Sequence, residues 1–433
     1  MTAPPIQTLP NGVRLLALPM PGLRSACVSV YLALGSAAET RRENGIGHLL
    51  EHMVYKGSAK RDARAINVDA ERLGAEANAH TDRDHIAFHL RGLAGHVPQF
   101  CELLADLVLA PTFPADELER ERQVLLQEWA EDEEDPLSTA FKLMDSASFG
   151  LHPAALPVIG QKRVLESTTR EDLLAWHGRH FVGPAMVVAA AGAVDAQAFF
   201  EAAARAFAVA PSTLPAAGPP TPPPWRGGVK ARHLAGHNQA HVALGWPLAT
   251  VHADDPAPGL AAALFGEGMS SPLMHELREK RGLFYYAACS ADVLATQGQW
   301  VVEASTAPER RDEFLHEVLA LLHRQAQGPD ADDLARGRHL MQVRLLRESE
   351  RPVRALEDAA LDLLFLGRVR GLEERLDRLA TLDAAAVQAV FAGLMAQPLA
   401  LGATGHLGRA AGARIAEVVG AVAGASVEGS ARA

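Results

Sequence analysis

The feature that most constrains this chain is a run of fifteen residues at its middle, Pro211-Ser-Thr-Leu-Pro-Ala-Ala-Gly-Pro-Pro-Thr-Pro-Pro-Pro-Trp225, seven of them proline. Proline locks φ and removes the backbone donor, so no helix or central strand fits there and extended polyproline geometry is favoured. The run cuts the 433 residues into halves of nearly equal length. That total is too long for one hydrophobic core of ordinary size. The expected organisation is a domain over residues 1–210, a linker over 211–225 and a second domain over 226–433.

Equal halves invite a search for duplication. Val28-Ser-Val-Tyr-Leu-Ala-Leu-Gly35 can be laid over Val242-Ala-Leu-Gly-Trp-Pro-Leu-Ala249 at an offset of 214, which also brings Gly45 onto Gly259 and the helix after it onto Leu260–Phe265. Alternating strands resemble one another, so this match needs the motifs below. Periodicity predicts strands at Val13–Leu18, Cys27–Leu34 and His85–Leu90, then at His241–Trp246 and Trp300–Ala304. It predicts helices at Ala63–Leu73, Val97–Val108, Asp116–Glu131 and Arg170–His177, and later at Arg310–Gln325, Asp330–Glu348, Arg354–Leu366 and Ala384–Met395. Clustered strands and clustered helices give an α+β fold, each half a sheet packed with helices.

Hydrophobic residues make up 48% and charged residues 21%, as in soluble globular proteins, and the net charge of −11 argues against nucleic acid as a partner. No apolar stretch reads as a membrane span. Cys27, Cys101 and Cys289 are odd in number and far apart, which suggests buried reduced thiols rather than a disulfide framework or thiolate metal site. Met1-Thr-Ala-Pro-Pro-Ile lacks the start of a secretory signal. The expected compartment is cytoplasmic, or periplasmic if a leader was removed.

The chemistry begins at Asn44-Gly-Ile-Gly-His48-Leu-Leu-Glu51-His52-Met-Val-Tyr-Lys-Gly57. On a helix, His48 and His52 stack on one face within reach of one ion, Glu51 shares that face, and Leu49, Leu50, Met53 and Val54 supply an apolar side. Two neutral imidazoles suit zinc, a catalytic site needs a third protein ligand, and a carboxylate such as Glu51 beside an acidified water can act as general base. Glu121-Arg-Gln-Val-Leu-Leu-Gln-Glu128 puts two glutamates seven apart on one helical face, with Val124 and Leu125 between them for packing. Glu128 is the candidate third ligand. Glu133 and Glu134 read as a solvated face. His80, His85 and His89 read as strand-face residues rather than ligands.

His48-x-x-Glu51-His52 is the inverted zinc motif. With Glu128 and Glu121, and with Leu73-Gly-Ala-Glu-Ala-Asn78-Ala79-His-Thr, the chain resembles the pitrilysin family of zinc metallopeptidases, which includes insulin-degrading enzyme and mitochondrial processing peptidase. The resemblance implies one zinc ion per chain held by His48, His52 and Glu128, with Glu51 as general base and Glu121 supporting the site. It implies that Asn78 and Ala79 lie on a strand edge where substrate backbone adds as an extra strand. Leu264-Phe-Gly-Glu-Gly-Met-Ser-Ser-Pro-Leu-Met-His-Glu-Leu-Arg278-Glu-Lys-Arg-Gly-Leu-Phe-Tyr285 resembles the family segment whose Arg and Tyr reach the zinc from the other domain, which assigns that role to Arg278 and Tyr285. At the offset of 214, His48, Glu51 and His52 correspond to Ala262, Phe265 and Gly266, so the second domain is expected to be metal-free. Two-domain relatives need a partner chain to close a chamber. The expected function is a zinc-dependent endopeptidase acting on small or unfolded peptides within a homodimer or a heterodimer with a related subunit. The alternative is a noncatalytic subunit of a heteromeric peptidase complex.

Overall fold

A computed structural model of the chain describes residues 4–213 and 222–430, the last eight of these as helical backbone only. Positions 214–221 of the expected linker lie outside the described residues. The chain forms two compact units: Met1–Ala130 with Leu156–Thr221 and Leu346–Leu372, and Glu131–Ala155 with Pro222–Leu345 and Glu373–Ala433.

The first unit is built on six strands, β1 (Ile6–Thr8), β2 (Arg14–Pro19), β3 (Ser25–Leu32), β4 (Glu76–Thr81), β5 (Ile86–Leu93) and β6 (Met186–Gly192), in the order β1-β2-β6-β3-β5-β4. β2 and β6 run parallel and the other neighbours antiparallel. The second unit holds β7 (Gly228–His233), β8 (Ala240–Leu248), β9 (Tyr286–Val293), β10 (Gly298–Thr306) and β11 (Ala400–Gly405), in the order β7-β11-β8-β10-β9. There β7 and β11 are the parallel pair. Beyond the extra β1, the two strand orders are the same.

The duplication extends to register. Val28 lies opposite Leu90 and Ala190, and Val242 lies opposite Ala304 and Ala403. Val28 and Val242 are 214 apart, as are Leu90 and Ala304, and Arg14 and Gly228, while Ala190 and Ala403 are 213 apart. Period-two alternation sends Val28, Val30, Phe88, Leu90 and Val188 to one face of the first sheet, under the helices Ile46–Val54 and Val97–Leu109. Cys27, Tyr31, Ala87, Val187 and Ala189 go to the other face.

That second face is covered by a helix from the far half of the chain. Helix Pro352–Leu366 sets Leu356, Ala359, Ala360 and Leu363 against β3 and β6. Reciprocally, helix Pro136–Phe149 sets Ala140, Met144 and Ala147 against Ala243, Val301 and Ala400 of the second sheet. The compact units therefore differ from a single division at residues 211–225, because each repeat satisfies the apolar face of one helix on the other repeat's sheet. The approach is close: a Cβ on Gly402 of β11 would stand 1.9 Å from the Ala140 carbonyl oxygen. Among the described residues, no single helix is long and apolar enough to cross a membrane.

Gly402→Ala is expected to force the helix Pro136–Phe149 off its sheet. The overpacking cost is about 1–3 kcal/mol, visible as a lowered midpoint in chemical unfolding. An unchanged midpoint would show that this contact is not tight.

Candidate metal centre

Helix Ile46–Val54 owes its start to glycine and a buried carboxylate. Gly45 has φ +105°, and a Cβ there would meet the Gly160 Cα at 2.8 Å. A Cβ on Gly47 would stand 2.9 Å from Glu39 Oε1. The Glu39 carboxylate accepts from the Gly45 N–H at 2.8 Å, the Gly47 N–H at 2.8 Å and the Asn44 side chain at 3.0 Å. An anion there meets orphan N–H groups and the positive end of the helix dipole. Burial pushes the Glu39 carboxyl up to about 7, with these hydrogen bonds pulling against it.

Leu49, Leu50, Met53 and Val54 are fully buried, so the helix has one permitted rotation, and that rotation turns His48 and His52 to its other side. Their ring centroids are 4.9 Å apart. Facing them is helix Ala115–Glu134, anchored by buried Leu118 and Leu125 and by Arg122, which donates to the carbonyls of Leu165 and Thr168. Val124, expected to pack beside Leu125, is 43% exposed.

Glu121 and Glu128 point from this helix to the histidines. Glu121 Oε2 lies 3.2 Å from His52 Nδ1, and Lys56 Nζ lies 2.7 Å from Glu121 Oε1. Holding Nδ1 this way leaves Nε2 as the lone-pair donor, the arrangement that orients a metal-binding imidazole. Glu128 Oε2 is 3.7 Å from His52 Nε2 and 4.0 Å from His48 Nε2. One donor atom from each of His48, His52 and Glu128 lies within 4.8 Å of the others. Burial, with the neighbouring His52, depresses the His48 imidazole to about 4, which keeps it neutral and able to donate near pH 7. This donor set fits a zinc-type ion. The Glu51 carboxylate is raised by burial, and its Oε2 accepts from Thr81 Oγ1 at 2.6 Å.

Asn78 and Ala79 sit on β4, the edge strand of the sheet beside the histidine helix. The Asn78 carbonyl accepts from the Tyr55 hydroxyl at 2.7 Å, and Asn78 Oδ1 accepts from the Ala79 N–H at 2.9 Å. Arg278 and Tyr285 belong to the second unit. Arg278 lies in the last turn of the helical segment Leu273–Glu279 and contacts Met269 Sδ at 3.4 Å, while Tyr285 is 78% exposed just before β9. Their neighbours are engaged elsewhere, Arg281 with Glu317 at 2.9 Å and Tyr286 with Glu303. Ala262 and Phe265, at the positions equivalent to His48 and Glu51, are core residues.

Sequence patterns did not reveal Glu39, Tyr55, Lys56 or Thr81 as parts of this site. Glu39 acts through backbone N–H groups and leaves no spacing signal. Thr81 was accessible in principle, because it is two residues from Ala79 and so on the same strand face.

An α+β protein with an inverted His-x-x-Glu-His helix facing a glutamate helix belongs among the metallopeptidase folds, and comparisons specify which. Residues 18–162 match the family model described as insulinase (peptidase family M16), and residues 167–341 match the one described as peptidase M16 inactive domain. An uncharacterized zinc protease of Mycobacterium tuberculosis is 32% identical over 324 residues, covering 71% of each chain. Subunit 1 of the mitochondrial cytochrome b-c1 complex of Bos taurus is 27% identical over 404 residues, 89% of this chain and 82% of the bovine one. A protease of Helicobacter pylori shares the fold, with TM-score 0.86 at 22% identity over 93% of this chain and 100% of that one. The chain belongs to peptidase family M16.

Glu39→Ala would leave the buried Gly45 and Gly47 N–H groups without an acceptor, each costing about 1–3 kcal/mol, while the Asn44 amide keeps the Pro157 carbonyl; Glu39→Gln keeps one acceptor oxygen. Thermal melting is expected to rank wild type above Gln above Ala. An Ala variant as stable as wild type would remove Glu39 from this role.

Proposed function

We propose that the protein is a zinc-dependent endopeptidase whose ion is held by His48, His52 and Glu128, one per chain, with small or unfolded peptides as substrates. The observation that carries this reading is the convergence of two imidazole nitrogens and one carboxylate oxygen from two buried-face helices within 4.8 Å. Zinc bound there would supply Lewis acidity and bring the pKa of a coordinated water towards neutrality.

This chain's residues do the rest. Glu51, oriented through Oε2 by Thr81, receives the proton of the attacking water and returns it to the leaving amine. Glu121 keeps the tautomer of His52 that presents Nε2. Asn78 and Ala79, on the edge strand, pair with an extended substrate backbone and hold its carbonyl in reach. Arg278 and Tyr285 stabilise the negative charge that grows on that carbonyl oxygen. A second chain, identical or related, completes the chamber.

The second reading is a noncatalytic subunit. It draws on the similarity to a subunit of the cytochrome b-c1 complex and on the match of residues 167–341 to a domain described as inactive. Zinc content separates the two: a stoichiometric ion in the purified chain supports the peptidase, and its lack supports the scaffold.

Glu51→Gln is expected to keep the zinc and lose nearly all turnover of a fluorogenic peptide, while His52→Ala loses the zinc. Peptide cleavage retained by carefully purified Glu51→Gln protein would refute the base assignment. Arg278→Ala or Tyr285→Phe is expected to leave zinc content unchanged and lower kcat by about 10²–10³-fold, the usual worth of one oxyanion donor. A kcat within twofold of wild type, on the order of 0.4 kcal/mol of barrier, would remove these residues from the reaction.

A further inference from the structure

The sheet that carries the histidine helix on one face carries a second group of metal-type donors on the other. His80 is on β4, paired across the ladder with Ala87, whose side chain lies in the core beneath helix Pro352–Leu366. His85 lies just before β5, and Glu357 projects from that helix. His80 Nε2 stands 3.1 Å from His85 Nε2 and 3.2 Å from Glu357 Oε1, and His85 Nε2 stands 3.8 Å from the same oxygen. A tetrahedral ion with bonds near 2.0–2.1 Å separates its ligand atoms by about 3.3 Å. These three separations bracket that value, and two of them are shorter than those at the His48–His52–Glu128 group.

The surroundings fit ligands. His85 is almost fully buried, and its Nδ1 lies 2.9 Å from Asp84 Oδ1, the carboxylate–imidazole pairing that fixes Nε2 toward an ion. Arg354 binds Glu357 Oε2 at 2.6 Å and leaves Oε1 toward the imidazoles. The His80 side chain is 37% exposed, which gives an ion a way in. The His89 ring centroid lies 5.8 Å from that of His80, and its buried Nδ1 has no hydrogen-bond partner among the described residues. A fourth position is thus open to His89 or to water.

We propose that His80, His85 and Glu357 form a second divalent transition-metal site, separate from the His48–His52–Glu128 group. Imidazole and carboxylate donors suit zinc, cobalt or nickel rather than magnesium or calcium. Bound there, the ion ties the edge strand β4, which bears Asn78 and Ala79, to the helix Pro352–Leu366 contributed by the other repeat. The site is structural, since three protein donors clasp two elements that the chain joins only over a long distance. The sequence pattern reads these histidines as strand-face residues, and Glu357 arrives from a part of the chain that no local pattern connects to them.

Without metal, the same atoms can share protons as an imidazole–imidazole–carboxylate bridge, and the experiment must tell the two apart. Metal-stripped protein would be dialysed against Co2+, with bound cobalt counted per chain and visible d–d absorption recorded. Wild type is expected to bind one more Co2+ than His80→Asn or Glu357→Gln, and both variants should lose the thermal shift that this extra ion confers. The difference between wild type and variants is the readout, so it holds whether or not the His48–His52–Glu128 group binds. A His52→Ala background adds a direct check: one Co2+ should remain, and its removal by His80→Asn should leave none. Equal cobalt counts in wild type and folded His80→Asn protein would overturn the proposal and leave a proton-shared bridge. His80 is partly exposed on an edge strand, and circular dichroism of that variant confirms folding before the count is read.

Discussion

The nine residues of helix Ile46–Val54 must satisfy two environments at once, and the first unit's candidate site depends on that. Leu49, Leu50, Met53 and Val54 have to face the sheet, because each exposed large aliphatic side chain forfeits about 1.5–3 kcal/mol of burial. With rotation fixed by that face, the helical period carries His48 and His52 to the opposite side, toward Glu121 and Glu128. The end of the helix is fixed as well, since the buried Glu39 carboxylate holds the Gly45 and Gly47 N–H groups. Rotation and translation are then both set before any ion arrives. Such preorganisation is what a metal centre needs, because ligand geometry assembled only on binding would cost ordering entropy.

The duplication explains why one half carries this chemistry and the other does not. The two sheets share strand order and register, and the helix Ala257–Gly266 stands where Ile46–Val54 does. In the second copy the polar face has become core, with Ala262 and Phe265 buried where His48 and Glu51 are in the first. The exchanged helices add a further consequence. Pro136–Phe149 and Pro352–Leu366 begin 216 positions apart, close to the repeat spacing, and each covers the sheet of the other copy. Neither sheet completes its outer layer from its own half, so each compact unit depends on residues from both sides of the proline-rich run.

Much of this was legible in the sequence. The strands expected at Val13–Leu18, Cys27–Leu34 and His85–Leu90 fall on β2, β3 and β5, because alternation is clear where one strand face meets large residues. The histidine–glutamate helix was legible because its ligands, its apolar face and its glycines lie within one short segment. β6 and β11 were not, since Val187-Val-Ala-Ala-Ala191 runs out into three alanines and Ala400-Leu-Gly-Ala-Thr-Gly405 is mostly alanine and glycine, residues depleted in strands. The structure supplies the reason: an exchanged helix lies against each, and at Gly402 even a methyl group would collide. The exchange itself could not be read from local pattern, as it is a tertiary preference of two amphipathic helices. For the same reason Glu357 was not connected to His80 and His85.

The most direct test of the central claim is an anomalous-scattering map collected at the zinc edge from crystals of the purified protein. The account predicts a peak about 2.0–2.2 Å from His48 Nε2, His52 Nε2 and a Glu128 carboxylate oxygen, with Glu51 beside it and outside bonding distance. A well-ordered map without density between those three side chains, or with Glu128 turned away and no other group in its place, would contradict it.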